Sequence, residues 1–136
     1  MIERFSVSIE RQLMKAFRGF MKKRKYGTRS EAVRDLIRTA LVQEEWKRNE
    51  EVVGVISLVF NHHQRQLQER ITEVQHDYHH QIVSTTHIHL DHDNCLEVII
   101  AKGKASQVKS LADRLTALRG VKNGALSAAS TGKKLH

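Results

Sequence analysis

The chain has 136 residues, of which 40% are apolar and 28% charged, with a formal net charge of +8 and a pI near 9.9. This balance excludes a disordered chain, and the single cysteine excludes an intrachain disulfide framework. No apolar run approaches the roughly 20 residues that span a bilayer, and MIERFSVSIER contains no signal-peptide core, so a cytoplasmic protein with no membrane partner is expected.

Charge is unevenly spread. Residues 1–50 carry 13 Lys/Arg against 7 Asp/Glu, a balance of +6, while residues 51–136 carry 10 against 8, a balance of +2. All nine histidines fall in the second part. A solvated basic surface is the plain reading of such a charge; a nucleic-acid partner for the first part is the sharper one.

Residues 2–9, IERFSVSI, alternate as a half-buried strand does: Phe5, Val7 and Ile9 share one face, Arg4, Ser6 and Ser8 the other. So short a strand needs a pairing partner. The next segment, ERQLMKAFRGFMKKRK, places Leu13, Phe17, Phe20 and Met21 at helical spacing and ends in a basic run that suits a helix C-terminus. Tyr26-Gly27 reads as a turn. TRSE then offers Thr28 as N-cap and Glu31 as the capping-box return. The helix that follows carries Ala32, Val33, Leu36, Ile37, Ala40 and Leu41 on one stripe and fades into QEEWKRNEE, read as exposed or as a linker. A domain boundary is expected there, giving domains at 1–48 and 49–130 and a frayed tail at 131–136.

The second part reads β-α-β-β-α-β. VVGVISLVF (52–60) is an apolar strand, residues 61–78 a helix with Leu67, Ile71 and Val74 inward, and QIVSTTHIHL (81–90) a strand. DHDN is a turn, CLEVIIAKG (95–103) the antiparallel return, ASQVKSLADRLTALRG (105–120) a helix, and VKNGALSAAS a short, weak strand. This order makes an α+β, ferredoxin-like sheet with both helices on one face. The apolar excess in its strands suggests that another subunit covers the opposite face.

A strand and two helices within 45 residues are too few to fold stably alone. Two copies can pair their strands into a ribbon with Arg4, Ser6 and Ser8 outward, and such a ribbon fits the major groove of double-stranded DNA. Arginine can donate two hydrogen bonds to guanine; serine is permissive. Thr28, Arg29 and Ser30, at the start of the second helix, offer N–H groups, hydroxyls and a guanidinium to phosphate. The plainer reading of the outward residues is an ordinary solvent face. RFSVSIERQLMKAF followed by GTRSEAVRDLIRTAL resembles a ribbon-helix-helix DNA-binding module. The resemblance implies that Arg4, Ser6 and Ser8 touch base edges and that DNA is read by a dimer.

In TTHIHLDHDNCLE, period two puts His87 and His89 on one face, and the hairpin brings Cys95 back beside them. Thiolate with imidazole suits zinc, copper or nickel rather than a hard, oxygen-seeking cation. A fourth donor could come from His62, His63, His76, His79, His80 or His92, and spacing does not choose among them. Asp91 and Asp93 read as turn residues; Glu97 could accept a hydrogen bond from a ligand ring. A thiolate with three imidazoles leaves no open position for water, and no acid–base pair accompanies it, so no enzyme is expected.

Over residues 3 to about 128 the chain resembles the nickel-responsive transcriptional regulators, most specifically in VQHDYHH and THIHLDHDNCLEVI. These join a ribbon-helix-helix module to an ACT-like, ferredoxin-like metal-sensing domain. The resemblance implies a homotetramer, built as a dimer of dimers, with one Ni(2+) per subunit held by His87, His89 and Cys95 of one subunit and His76 of a neighbour. It implies a repressor that binds a palindromic operator and controls nickel uptake genes. Departures are the serines at the ribbon positions and the interruption of the histidines after His76 by Asp77 and Tyr78. Rival readings are a DNA-binding regulator whose ACT-like domain senses a small molecule such as an amino acid, and a metal storage or delivery protein.

Overall fold

The computed structural model describes residues 1–136 and divides into two compact units, Met1–Thr39 and Ala40–His136.

In the first unit, helix α1 spans Arg11–Arg24 and α2 begins at Arg29, running on to Lys47. Helix α1 ends where Lys25 takes a left-handed conformation (φ 62°), and the Lys25 and Tyr26 amides return to Lys22 O and Met21 O. Lys22, Lys23 and Arg24 in its last turn meet the negative end of the helix dipole. Thr28 caps α2: its Oγ1 accepts the Glu31 amide at 3.1 Å. The return half of the expected box is displaced, since the Glu31 carboxylate accepts the Gly27 amide at 3.2 Å rather than that of Thr28. Residues 1–10 form no strand within the single chain. The reason is physical: a two-stranded ribbon needs a second strand, and this segment has none inside its own chain. Phe5, Val7 and Ile9 are correspondingly 69%, 68% and 40% exposed, and Leu13, Leu36, Ile37 and Leu41 are exposed too.

The second unit is one antiparallel sheet in the order β2-β3-β1-β4, built from β1 (Glu51–Asn61), β2 (Ile82–His89), β3 (Asn94–Lys104) and β4 (Val121–Ser130). Helices α3 (Arg65–Asp77) and α4 (Ala105–Thr116) follow β1 and β3. Along β1 burial alternates: Val52, Ile56, Leu58 and Phe60 are buried, and the residues between them are only partly covered. The buried set joins Ile99 and Ala101 of β3, Leu67, Ile71 and Val74 of α3, and Val108, Leu111 and Leu115 of α4 in one core. Both helices therefore cover one face. At Gly54 a Cβ would stand 2.5 Å from Val108 Cγ1, so the missing side chain lets α4 lie close to the sheet. The other face presents Val53, Val55 and Val59 beside Leu96, Val98 and Ile100, all half-buried in the single chain.

Two local readings of the sequence are corrected. The closing strand is not short: β4 pairs with β1 from Val52↔Ser130 to Phe60↔Val121. The segment QEEWKRNEE is not a solvent-exposed linker either. Glu45 is buried and accepts Ser130 Oγ at 3.2 Å, and the Trp46 indole N–H donates to Ala129 O at 2.9 Å. A helix end that looks polar in sequence is thus fixed against β4. The tail returns to the same place, with Lys134 Nζ 2.8 Å from Glu50 Oε1.

Candidate metal centre and nucleic-acid interface

The β2–β3 ladder sets His89 opposite Cys95 and His87 opposite Glu97. The β1–β3 ladder sets Phe60 opposite Cys95 and Asn61 opposite Asn94, and the His62 amide continues it by donating to Asp93 O at 3.0 Å. Side chains alternate along strands, so His62, two residues past buried Phe60, joins the helix-covered face at its end. Three strands thereby deliver donors to one corner of the sheet.

There Cys95 Sγ lies 3.3 Å from His89 Nδ1. His62, His89 and Cys95 each offer a donor atom, and all three atoms lie within 4.8 Å of one another. The His62 and His89 rings meet edge to face with centroids 5.3 Å apart. The buried Nδ1 of His62 has no hydrogen-bond partner in the chain. His87 stands beside this trio, its ring 5.3 Å from that of His89 and edge-on to Phe60 at 6.0 Å. His76 lies apart from it, exposed in the last turn of α3, with its ring stacked on His79 at 5.7 Å. Of the four expected ligands, then, one chain brings Cys95 and His89 into contact, sets His87 alongside, and turns His76 outward. His62, only one of six open alternatives in the sequence, is the residue the β1 register singles out.

Burial, and secondarily the carboxylates of Asp91 and Glu97, pushes the Cys95 thiol above its ordinary value of 9.0. Burial first, then the neighbouring His63, His89 and His92, pushes His62 below its ordinary 6.5. Near neutral pH, Cys95 is therefore a thiol and His62 a neutral imidazole. The neutral imidazole is ready to bind a metal; the thiol must first lose its proton. Glu97 does not turn to a ligand ring as expected, because its Oε1 accepts Gln75 Nε2 at 3.2 Å. Asp91 is a turn residue, accepting the amides of Asp93 and Asn94. Asp93 does more than turn the chain: it lies 3.5 Å from His63 Nε2, and with His92 these form a second, exposed donor group on the same corner.

Imidazole and a potential thiolate within bonding reach of one ion fit a borderline metal such as nickel, copper or zinc, and do not fit magnesium or calcium. The arrangement can hold a metal.

The expected DNA-contacting residues are all in the first unit. Arg4, Ser6 and Ser8 lie in the extended segment ahead of α1, exposed, and Arg29 and Ser30 open α2, also exposed, next to the capping hydroxyl of Thr28.

A basic helical pair joined to a sheet domain that gathers soft donors is the architecture of a metal-responsive regulator. Residues 53–129 match the family described as the NikR C terminal nickel binding domain. A nickel-responsive regulator of Desulfotalea psychrophila is 54% identical over 136 residues, covering 100% of both chains. One of Geobacter metallireducens is 49% identical over 134 residues, covering 98% of this chain and 96% of its own. The solved structure of an uncharacterised protein from Thermotoga maritima is similar in fold alone, with TM-score 0.53 and 12% identity over 58% of this chain and 98% of that one. The chain belongs to the family of nickel-responsive regulators, which act by binding rather than by catalysis.

Proposed function

We propose that this protein is a cytoplasmic, nickel-dependent transcriptional repressor, assembled as a dimer of dimers, that binds a palindromic operator and controls nickel uptake genes. The observation that carries the reading is the gathering of His89, Cys95 and His62 donors at one sheet corner, in a chain whose first 50 residues hold most of the positive charge.

Each subunit holds one Ni(2+) through His87, His89 and Cys95, with His76 of the partner subunit completing the set. An outward His76 supports donation to another subunit, and the half-covered valine-rich sheet face supports tetramer formation. The in-chain trio favours a second ligand assignment, in which His62 replaces His87. When bound, nickel supplies a rigid bond network between subunits. Cys95 contributes a thiolate after losing its proton, and the histidines contribute neutral imidazoles.

In the first unit, paired extended segments carry Arg4, Ser6 and Ser8 to base edges, while Arg29 and Ser30 clamp phosphate. The exposed Phe5, Val7 and Ile9 support this pairing, because two copies would cover them together. Metal and DNA favour the same arrangement of the assembly, and linkage makes the effect reciprocal. A hundredfold gain in operator affinity needs about 2.7 kcal/mol of coupling.

Absorption spectroscopy tests the ligand set. Nickel-loaded protein should show thiolate-to-nickel charge-transfer bands that Cys95→Ala abolishes. Bands that survive this substitution refute the site, bands altered by His62→Ala but not by His87→Ala select the second assignment, and metal-free protein from nickel-replete cells favours a small-molecule sensor.

A further inference from the structure

The last turn of α3 is fastened from two sides. On the sheet side Gln75 donates to Glu97 Oε1 at 3.2 Å and accepts Thr85 Oγ1 at 3.0 Å. On the α4 side, Arg114 Nη2 donates to Asp77 Oδ2 at 3.2 Å, and the Arg114 guanidinium lies 5.4 Å from the centre of the Tyr78 ring. The Tyr78 hydroxyl hydrogen-bonds Ser110 Oγ at 2.7 Å. Between these two anchorages stands His76, exposed, with no side-chain partner except the stacked ring of His79.

This arrangement is more than local packing requires. Helix α3 already buries Leu67, Ile71 and Val74 in the core, which fixes its body. Asp77 and Tyr78 lie past that face, at the point where the chain leaves the helix for β2, and helix ends ordinarily fray. Here the exit is held by a hydrogen bond, a charge-assisted hydrogen bond and a cation over an aromatic face. The residue thereby immobilised is the histidine with nothing to bind in its own chain.

We propose that Asp77, Tyr78, Ser110 and Arg114 form a clamp whose work is to pre-position the His76 imidazole for a metal held mainly by the partner subunit. This rests on the reading of His76 as a ligand. Pre-organisation explains the benefit: a side chain ordered before binding loses less freedom when it bonds, so affinity rises with no new contact to the metal. Each member of the clamp is a positioning residue, since none offers the metal a donor. The two arms answer differently to salt. The Arg114–Asp77 pair is about half exposed, with side chains 48% and 56% accessible, and is screened as ionic strength rises; the Tyr78–Ser110 bond is not.

The experiment is a double-mutant cycle on the full-length protein, reading nickel affinity by competition with a chelator. Wild type, Arg114→Ala, His76→Ala and the double variant are compared, with Tyr78→Phe as a smaller lesion that removes only the hydroxyl. Arg114→Ala is expected to weaken nickel binding roughly three- to tenfold, the range an exposed, well-formed pair with a stacking contact can deliver. In the His76→Ala background the same substitution should change nothing further, because there is no longer a ring to position. Hydrogen exchange at residues 78–81 of the metal-free protein should quicken in both Arg114→Ala and Tyr78→Phe. An equal loss in the two backgrounds would show a merely structural role and overturn the clamp, as would unchanged affinity in Arg114→Ala. If His76→Ala itself leaves nickel affinity intact, the ligand assignment fails first and the clamp falls with it.

Discussion

At the scale of single residues the chemistry turns on Cys95. Its thiol is held protonated by burial and by two carboxylates, so metal binding must expel that proton. The sign follows: nickel affinity rises with pH while the free thiol remains protonated, and falls as acid competes for the site. Calorimetric titration with nickel in buffers of different ionisation enthalpy should show about one proton released per subunit at neutral pH; no release would mean that the sulfur is not a ligand. His62 gives a second test. Its folded-state pKa lies below the ordinary 6.5, so the unfolded chain takes up a proton more readily than the folded one. The stability this contributes is present above pH 6.5 and is lost as the pH falls through the depressed value. Urea unfolding of metal-free protein should therefore weaken with acid in that window, and less steeply in His62→Gln. How much of the corner was legible in sequence depends on the residue. His89 and Cys95 meet as a period-two strand and a tight turn require. The place of His62 was not legible, because it depends on the register of β1 against β3, which no local pattern contains.

At the scale of elements, the sheet domain was readable because its signals are local and redundant: alternating strands, two apolar helical stripes and a turn at Asp91–Asn94. The failures have a common cause in long-range pairing. Strand β4, rich in Ala and Gly, has weak propensity of its own and is drawn out to ten residues by β1. Trp46 and Glu45 look like linker residues until β4 supplies their partners. The N-terminal segment alternates as a strand should, yet needs a second chain to become one. Two substitutions probe this level. Thr28→Ala removes the oxygen that accepts the Glu31 amide and should cost about 1 kcal/mol in denaturant unfolding; no loss would mean that the cap is idle. Gly54→Val would drive a side chain into Val108 and should destabilise the sheet domain by about 1–3 kcal/mol, with a lowered midpoint for the nickel-free protein as its signature.

At the scale of the whole molecule, both units leave apolar surface that one chain does not cover: Phe5, Val7 and Ile9 in the first, and the valine-rich sheet face in the second. No helix is long and apolar enough to cross a membrane, so a lipid-spanning role for these helices is not their explanation; further copies of the chain are. The two surfaces make separable predictions. Val7→Asp should abolish operator binding while leaving nickel stoichiometry unchanged, whereas Val98→Asp on the open sheet face should break the tetramer, as read by sedimentation. An operator complex that survives Val7→Asp would remove the ribbon from the account.

The most direct test is operator affinity at fixed salt, measured with and without Ni(2+), for the wild type and for Cys95→Ala. The account predicts that nickel tightens wild-type binding by about two orders of magnitude and leaves Cys95→Ala at the metal-free level. Equal affinities with and without nickel in the wild type, or full tightening in Cys95→Ala, would contradict it.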